Sequence, residues 1–298
     1  MKLDIKHVAY FNVFGNGDLH YSRQFVKFFC EKLPFPSSYT HVRCPYLMRD
    51  LPVSYLPKLP SARANGNPLG SLYFEEPNLM FGTWIGQDGG KWLHPHGCTI
   101  KNNYNMFSHY ASIFGLQLSD ELQYIPTIDY SKYNIESINL KKDKNLLICN
   151  GPVISGQARN FDFSPIIESL AKKHPSCTFY VTLPFQTDLN NIIDANSLVA
   201  DKTKSNLNEI SYISLFCDII VGRGSGPFCF THVQDNIYDK DKTYIVFGNS
   251  EREVNWVTLS DYNLPEHAKQ LWHTSDYGCE QKVFDMIDEE INAKFGNR

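Results

Sequence analysis

Short apolar runs recur along this chain, and between them apolar positions repeat every three to four residues. The runs His7-Val8-Ala9-Tyr10-Phe11, Met80 to Gly86, Asn145 to Asn150, Thr178 to Leu183, Asp218 to Val221 and Thr243 to Phe247 predict buried strands. Helices are predicted over Tyr21–Lys32, Asn105–Leu116, Phe163–Lys173, Leu207–Phe216 and Cys279–Phe295. In the last, Val283, Phe284, Met286, Ile287 and Ile291 mark one apolar stripe. The Pro-rich stretch from Leu33 to Leu72 breaks the alternation and predicts loop or short helix. A polar stretch from Asp129 to Asp143 predicts a linker, after which the strand–helix alternation restarts. The expected class is therefore α/β. Two doubly wound domains, residues 1–140 and 141–298, would face a central cleft holding the active site.

Composition narrows the possibilities without choosing among them. With 298 residues, 42% hydrophobic and 20% charged, the chain has enough apolar surface for two cores. A net charge of -4 argues against a general nucleic-acid binder. No apolar run approaches the roughly 20 residues that span a bilayer, and the first residues lack the apolar core of a signal peptide. The 8 cysteines are scattered, with no C-x-x-C pair. Buried free thiols and a cytoplasmic location are expected.

Candidate chemistry gathers where predicted strands give way to loops. The first strand ends in Gly15-Asn16-Gly17-Asp18, a glycine turn with an acid at a helix start. Gly15 and Gly17 can take backbone angles closed to other residues, and Asp18 is suited to the N-cap. Two later loops, Gly151 to Arg159 and Gly222-Arg223-Gly224-Ser225-Gly226-Pro227, can present backbone N–H groups at helix starts, a natural phosphate site. Arg159 and Arg223 add fork-shaped donors suited to a pyrophosphate, and Ser225 adds a hydroxyl. Tight turns with surface arginines would give the same residues.

In this order the motifs resemble those of the two-domain GT-B glycosyltransferases, and most closely the heptosyltransferase-like group, glycosyltransferase family 9. That family opens with strand, Gly-Asp turn and helix, and its acid matches Asp18. Its second domain begins with a strand and a polar loop, matching Leu146 to Asn160. Its donor-phosphate turn matches Asp218-Ile219-Ile220-Val221-Gly222-Arg223-Gly224-Ser225-Gly226-Pro227, and a later strand ends in Phe-Gly, as in Val246-Phe247-Gly248. The chain departs by carrying Gly224 where the family has Asp or Asn, and a histidine only at His232. The resemblance implies an inverting, metal-independent transfer from a nucleotide-sugar to an acceptor hydroxyl, with no cofactor beyond that co-substrate. It implies Asp18 as the base, Asn16 and His20 on the acceptor side, and Gly17, Gln157, Arg159, Asn160, Arg223, Gly224, Ser225, Gly226, Pro227 and Glu251 around the donor.

Each of these residues also has a plainer use. Asp18 would serve as a helix cap, His20 as a helix histidine, Gln157 and Asn160 as loop polar groups, and Glu251 with Arg252 as a solvated loop. Asp239-Lys240-Asp241 has the Asp-x-Asp form of metal-dependent transferases but sits in a charged turn. His94-Pro95-His96 with Cys98 lacks a fourth metal ligand. Trp84, Trp92 and Tyr104 suit core packing or stacking on a ligand. His20 and Pro227 break the dinucleotide fingerprint, and Arg223 breaks the hydrolase nucleophile elbow. Two alternatives stay open: a GT-B-fold sugar-nucleotide epimerase or hydrolase, and a non-catalytic nucleotide-sugar-binding protein.

Overall fold

Val8 to Phe11 are buried on both faces of the sheet, and as β1 (His7–Asn12) they form the middle of the first of two sheets. The computed structural model describes residues 4–41, 45–59, 72–84, 100–118, 125–154, 158–201, 205–248, 269–274 and 278–296. These fall into two compact units, one through Lys132 and one from Tyr133 onward. The division lies inside the polar stretch that marks the linker in the sequence.

In the first unit β1 is followed by α1 (Asn16–Lys32), β2 (Ser37–His41), β3 (Ser54–Tyr55), β4 (Leu72–Glu75), β5 (Asn78–Gly82) and α2 (Ile100–Ile113). The strand order is β3-β2-β1-β5-β4, parallel throughout except that β4 runs antiparallel to β5. Helix α1 buries Phe25 and Phe29 against this sheet and α2. Phe25 stacks on Phe107 with ring centroids 4.2 Å apart, and Phe29 meets Phe81 at 4.7 Å. The helix stops where Leu33 donates its N–H to the Phe29 carbonyl and Pro34 follows. Two strands, β2 and β3, lie in the Pro-rich stretch expected to be loop or short helix. Their polar sequence hides them: Ser38 and Tyr39 are buried only because β1 pairs beside them, Tyr10 opposite Tyr39.

The second unit contains β6 (Asn145–Cys149), α3 (Ser164–Lys173), β7 (Thr178–Val181), β8 (Ile192–Asp194), α4 (Leu207–Ser214), β9 (Ile219–Arg223), α5 (Gly226–Phe230), α6 (Gln234–Ile237), β10 (Thr243–Gly248), β11 (Lys269–Thr274) and α7 (Glu280–Phe295). Its order, β11-β10-β9-β6-β7-β8, is all parallel. Counted within the unit, this is the 3-2-1-4-5-6 order of dinucleotide-binding sheets. One face packs on α3 and α7 through Ile167, Leu170, Val283, Ile287 and Ile291. The other carries α5, whose Phe228 meets Tyr244 edge-on at 5.9 Å. Gly222 permits that close approach. A Cβ there would lie 2.7 Å from Phe228 Cδ2 and 2.9 Å from Cys149 Cβ. Buried Lys242 donates to the carbonyls of Ser214 (2.7 Å) and Leu215 (3.4 Å), closing the end of α4. Burial pulls its ammonium pKa down from 10.5 to about 8. Each unit is thus a parallel-rich α/β sheet, the class the alternation predicts. The described cysteines are free thiols, and all but Cys30 are buried.

Candidate active site

A parallel α/β sheet binds ligands at the carboxyl ends of its strands, where the strand order reverses. In the first unit that point lies between β1 and β5. Asn12, the last residue of β1, is fully buried there. Its amide donates to Thr83 Oγ1 (3.3 Å), and its oxygen accepts the Phe14 N–H (2.8 Å). Tyr39 Oη and Thr83 Oγ1 share a hydrogen bond of 2.9 Å, and Thr83 donates its N–H to the Phe11 carbonyl (3.0 Å). Burial pushes the Tyr39 phenol up to about 12, so it stays a neutral partner. This network holds the chain as it leaves β1, with Val13 and Phe14 exposed. Composition and periodicity did not single out any of its members. The available signal was an asparagine closing an otherwise apolar strand.

The turn itself differs from its expected form. Helix α1 starts at Asn16 rather than Tyr21, so Gly15 is the N-cap and Asp18 the third helical residue. Asp18 Oδ2 accepts the Gly15 N–H at 2.8 Å, the acid half of a capping box. Gly15 has φ -80 and Gly17 lies within the helix, so neither uses a left-handed backbone. What Gly15 supplies is room, since a Cβ there would stand 3.3 Å from Asp18 Oδ2. The carboxylate sits in the first turn, where the helix dipole favours negative charge. Asn16 is half-buried beside it. His20, expected on the acceptor side, is fully buried, edge-on to Tyr21 at 5.6 Å. Two residues beyond Asp18, about half a turn further round the helix, the chain faces the core, so His20 packs inward.

In the second unit the order reverses between β6 and β9. Arg223, the last residue of β9, is 1% exposed. One guanidinium nitrogen donates to the carbonyls of Arg159 and Phe161 (both 3.1 Å), the other to those of Asn150 (2.9 Å) and Gly151 (3.2 Å). The rings of Phe161 and Phe163, with centroids 4.5 Å from each other, both lie against it at 5.0 and 4.8 Å. Burial pulls its pKa down from 12.5 to about 10. The expected surface fork for a pyrophosphate is therefore turned inward, its terminal donors on backbone carbonyls. Asn160, expected at the donor, uses its amide on the Val153 backbone instead, accepting its N–H (2.9 Å) and donating to its carbonyl (2.8 Å). Asn150 makes the same two-bond contact with Leu183, joining the ends of β6 and β7.

These groups border a cavity of about 180 Å³ lined by Asn150, Asn160, Asp162, Phe185 and Arg223 among others. Arg159 is exposed on the loop above β6. Gly224 is half-buried. Ser225 is the N-cap of α5, with Gly226 and Pro227 opening the helix. The Ser225 hydroxyl is buried and has no hydrogen-bond partner among the described residues, which in a native fold calls for a ligand or water. Gln157 and Glu251, with Arg252, lie outside the described residues, as do His94, His96, Cys98 and Trp92. Trp84 is buried, and Tyr104 meets Phe25 at 6.5 Å. Asp239 of the Asp-x-Asp turn pairs with Lys142 at 2.7 Å and accepts the Asp241 N–H at 3.0 Å.

His232, shortly after the donor-like turn, faces the core and packs edge-on against both Phe228 (5.1 Å) and Tyr244 (5.0 Å). Burial pulls its pKa from 6.5 to about 3. Between those values the unfolded chain takes up a proton that the folded imidazole refuses, so stability falls as pH falls through that window. The slope reaches about 1.4 kcal/mol per pH unit. A His232→Phe variant is expected to lose this share of the acid dependence. Urea unfolding of both proteins between pH 4 and 7, on the order of four points, checks it; parallel pH profiles would refute it.

No family model matches the chain, and no curated protein matches it. Solved structures do. The E. coli heptosyltransferase WaaC with ADP covers 95% of this chain and 99% of its own, at 8% identity and a TM-score of 0.53. The same enzyme with ADP-2-deoxy-2-fluoro heptose matches at 9% identity and a TM-score of 0.51, with the same coverage. At such identity the likeness is one of fold, and it spans both units. The chain has the fold of the GT-B heptosyltransferases.

Proposed function

We propose that this chain is an inverting glycosyltransferase moving a sugar from a nucleotide-sugar to an acceptor hydroxyl. The observation that carries the reading is that a chain with the GT-B fold has two differently equipped strand-end crevices, one in each unit. One presents a carboxylate at a helix start, and the other presents a loop, a cavity and a buried unpartnered hydroxyl. Asp18 accepts the proton of the acceptor hydroxyl as its oxygen attacks the anomeric carbon. The bond from that carbon to the diphosphate breaks, and the diphosphate leaves with the electron pair. An ionised carboxylate is a weak base toward a free alcohol. It acts because the hydroxyl becomes acidic only as the new bond forms, a gain of about 10² to 10⁴-fold.

On the donor side, Ser225, Arg159 and the backbone around Gly224 and Gly226 meet the charge growing on the leaving diphosphate. No metal ion has a role in this scheme. Arg223 acts at a distance, and Asn160 through the loop that it closes. The solved neighbours were studied with ADP and an ADP-heptose analogue, so ADP-sugars head the donors to try.

Thermal-shift and calorimetric titration with ADP-, UDP- and GDP-sugars tests the reading. One class is expected to bind and raise the melting temperature; no response to any of them would overturn it. Incubation with the bound donor alone separates transfer from epimerisation or hydrolysis, since a transferase leaves the donor largely intact without acceptor.

A further inference from the structure

We propose that Arg223 is a positioning residue that turns the backbone of the β6–α3 loop so that its amides face the donor phosphates. This rests on the donor-site reading above. The four carbonyls that Arg223 gathers come from both ends of one loop: Asn150 and Gly151 at its start, Arg159 and Phe161 at its end. A peptide is planar and trans, so each carbonyl points opposite to the N–H of the next residue. With the carbonyls of Asn150, Arg159 and Phe161 drawn to the guanidinium, the N–H groups of Gly151, Asn160 and Asp162 point away from it. None of these three N–H groups meets a hydrogen-bond acceptor among the described residues. They are donors open to a ligand, in a loop bordering the 180 Å³ cavity.

The charge balance points the same way. Among the described residues no carboxylate pairs with Arg223, and its Nε is buried without a partner. A buried cation held only by carbonyl dipoles and aromatic faces favours an anion near it. The described ends of the loop, residues 150–154 and 158–163, are also held by contacts within the chain. Asn160 clamps Val153, Asn150 clamps Leu183, and the adjoining rings of Phe161 and Phe163 lie against the guanidinium. Ordering achieved before binding is ordering that the ligand need not impose. A lysine at this position would keep the charge but could not hold four carbonyls in one plane.

The test compares wild type with Arg223→Lys and Arg223→Met, each first shown to melt cooperatively. Hydrogen exchange of the ligand-free proteins reads the loop. Calorimetry with the nucleoside diphosphate preferred by wild type, and with its nucleoside, reads the phosphate seat. In both variants amide exchange at 150–154 and 158–162 is expected to quicken about tenfold or more while strands β6 and β9 stay protected. Diphosphate affinity is expected to fall about tenfold or more, with nucleoside affinity unchanged within about twofold. General loosening of the fold would weaken both ligands alike, and that result would overturn the inference. So would diphosphate binding within twofold of wild type in Arg223→Lys, which keeps the apolar stem and charge if Arg223→Met fails to fold. Wild type that binds no nucleoside diphosphate would instead overturn the donor-site reading, and this inference with it.

Discussion

Asp18→Asn is expected to lower turnover at least about 100-fold, and by as much as 10⁴-fold, while leaving donor affinity unchanged. Asparagine has the shape of aspartate but cannot take up the acceptor's proton. Its side-chain oxygen can still accept the Gly15 N–H that Asp18 accepts at 2.8 Å, so the start of α1 survives. What the helix loses is the negative charge in its first turn, worth about 0.3–1 kcal/mol. The two roles of Asp18 therefore separate cleanly: the cap persists in the variant and the base does not. Initial rates at saturating donor and acceptor, beside donor titrations, measure the split. Wild-type turnover in the variant would remove Asp18 from the mechanism, and a large loss of stability would mean that its role is structural.

A second large effect is expected far from the chemistry. Arg23 and Asp50 form an ion pair with side chains 0% and 3% exposed. Arg23 also donates to the Leu47 carbonyl at 2.8 Å, and Asp50 accepts the Asp129 N–H at 3.3 Å. The pair thus ties the helix bearing Asp18 to the turn after β2 and to the segment leaving the first unit. Asp50→Asn leaves a buried guanidinium without its countercharge, which costs about 3–5 kcal/mol. Arg23→Met with Asp50→Leu removes both charges together and is expected to recover much of that loss. Urea unfolding of the single and double variants checks both statements. A single variant within about 0.5 kcal/mol of wild type would show that the pair is not a determinant of stability.

The strand pattern was legible wherever a strand is buried on both faces. β1, β5, β6, β7, β9 and β10 coincide with the apolar runs to within a few residues. The strands that escaped, β2, β3, β4, β8 and β11, lie at or next to a sheet edge and form by pairing with the strand beside them, β2 with β1 and β3 with β2. The start of α1 escaped for a related reason. Asn16-Gly17-Asp18 carries no apolar periodicity and only weak helix propensity, yet the Gly15–Asp18 cap makes it the first helical turn.

At the candidate site the sequence located the loops, because glycines, small residues and an acid after an apolar run mark a buried strand giving way to a tight turn. Asp18 and Ser225 could be singled out in this way, as could the two loops of the second unit. The direction of each side chain could not be read. Arg223 and His20 have the chemistry of surface ligands and are buried. Asn12, marked in the sequence only as an asparagine closing an apolar run, lies in the network under the Asp18 turn.

By itself, the sequence determined the strands buried on both faces, the longer amphipathic helices, their alternation, and the loops where chemistry can sit. Those properties follow from local periodicity and backbone preference, which each segment carries with it. The tertiary structure alone decided that Arg223 meets four carbonyls and that Asn12, Tyr39 and Thr83 share one network. Such contacts join residues from separate strands, and strand order, set by packing of the whole sheet, brings them together.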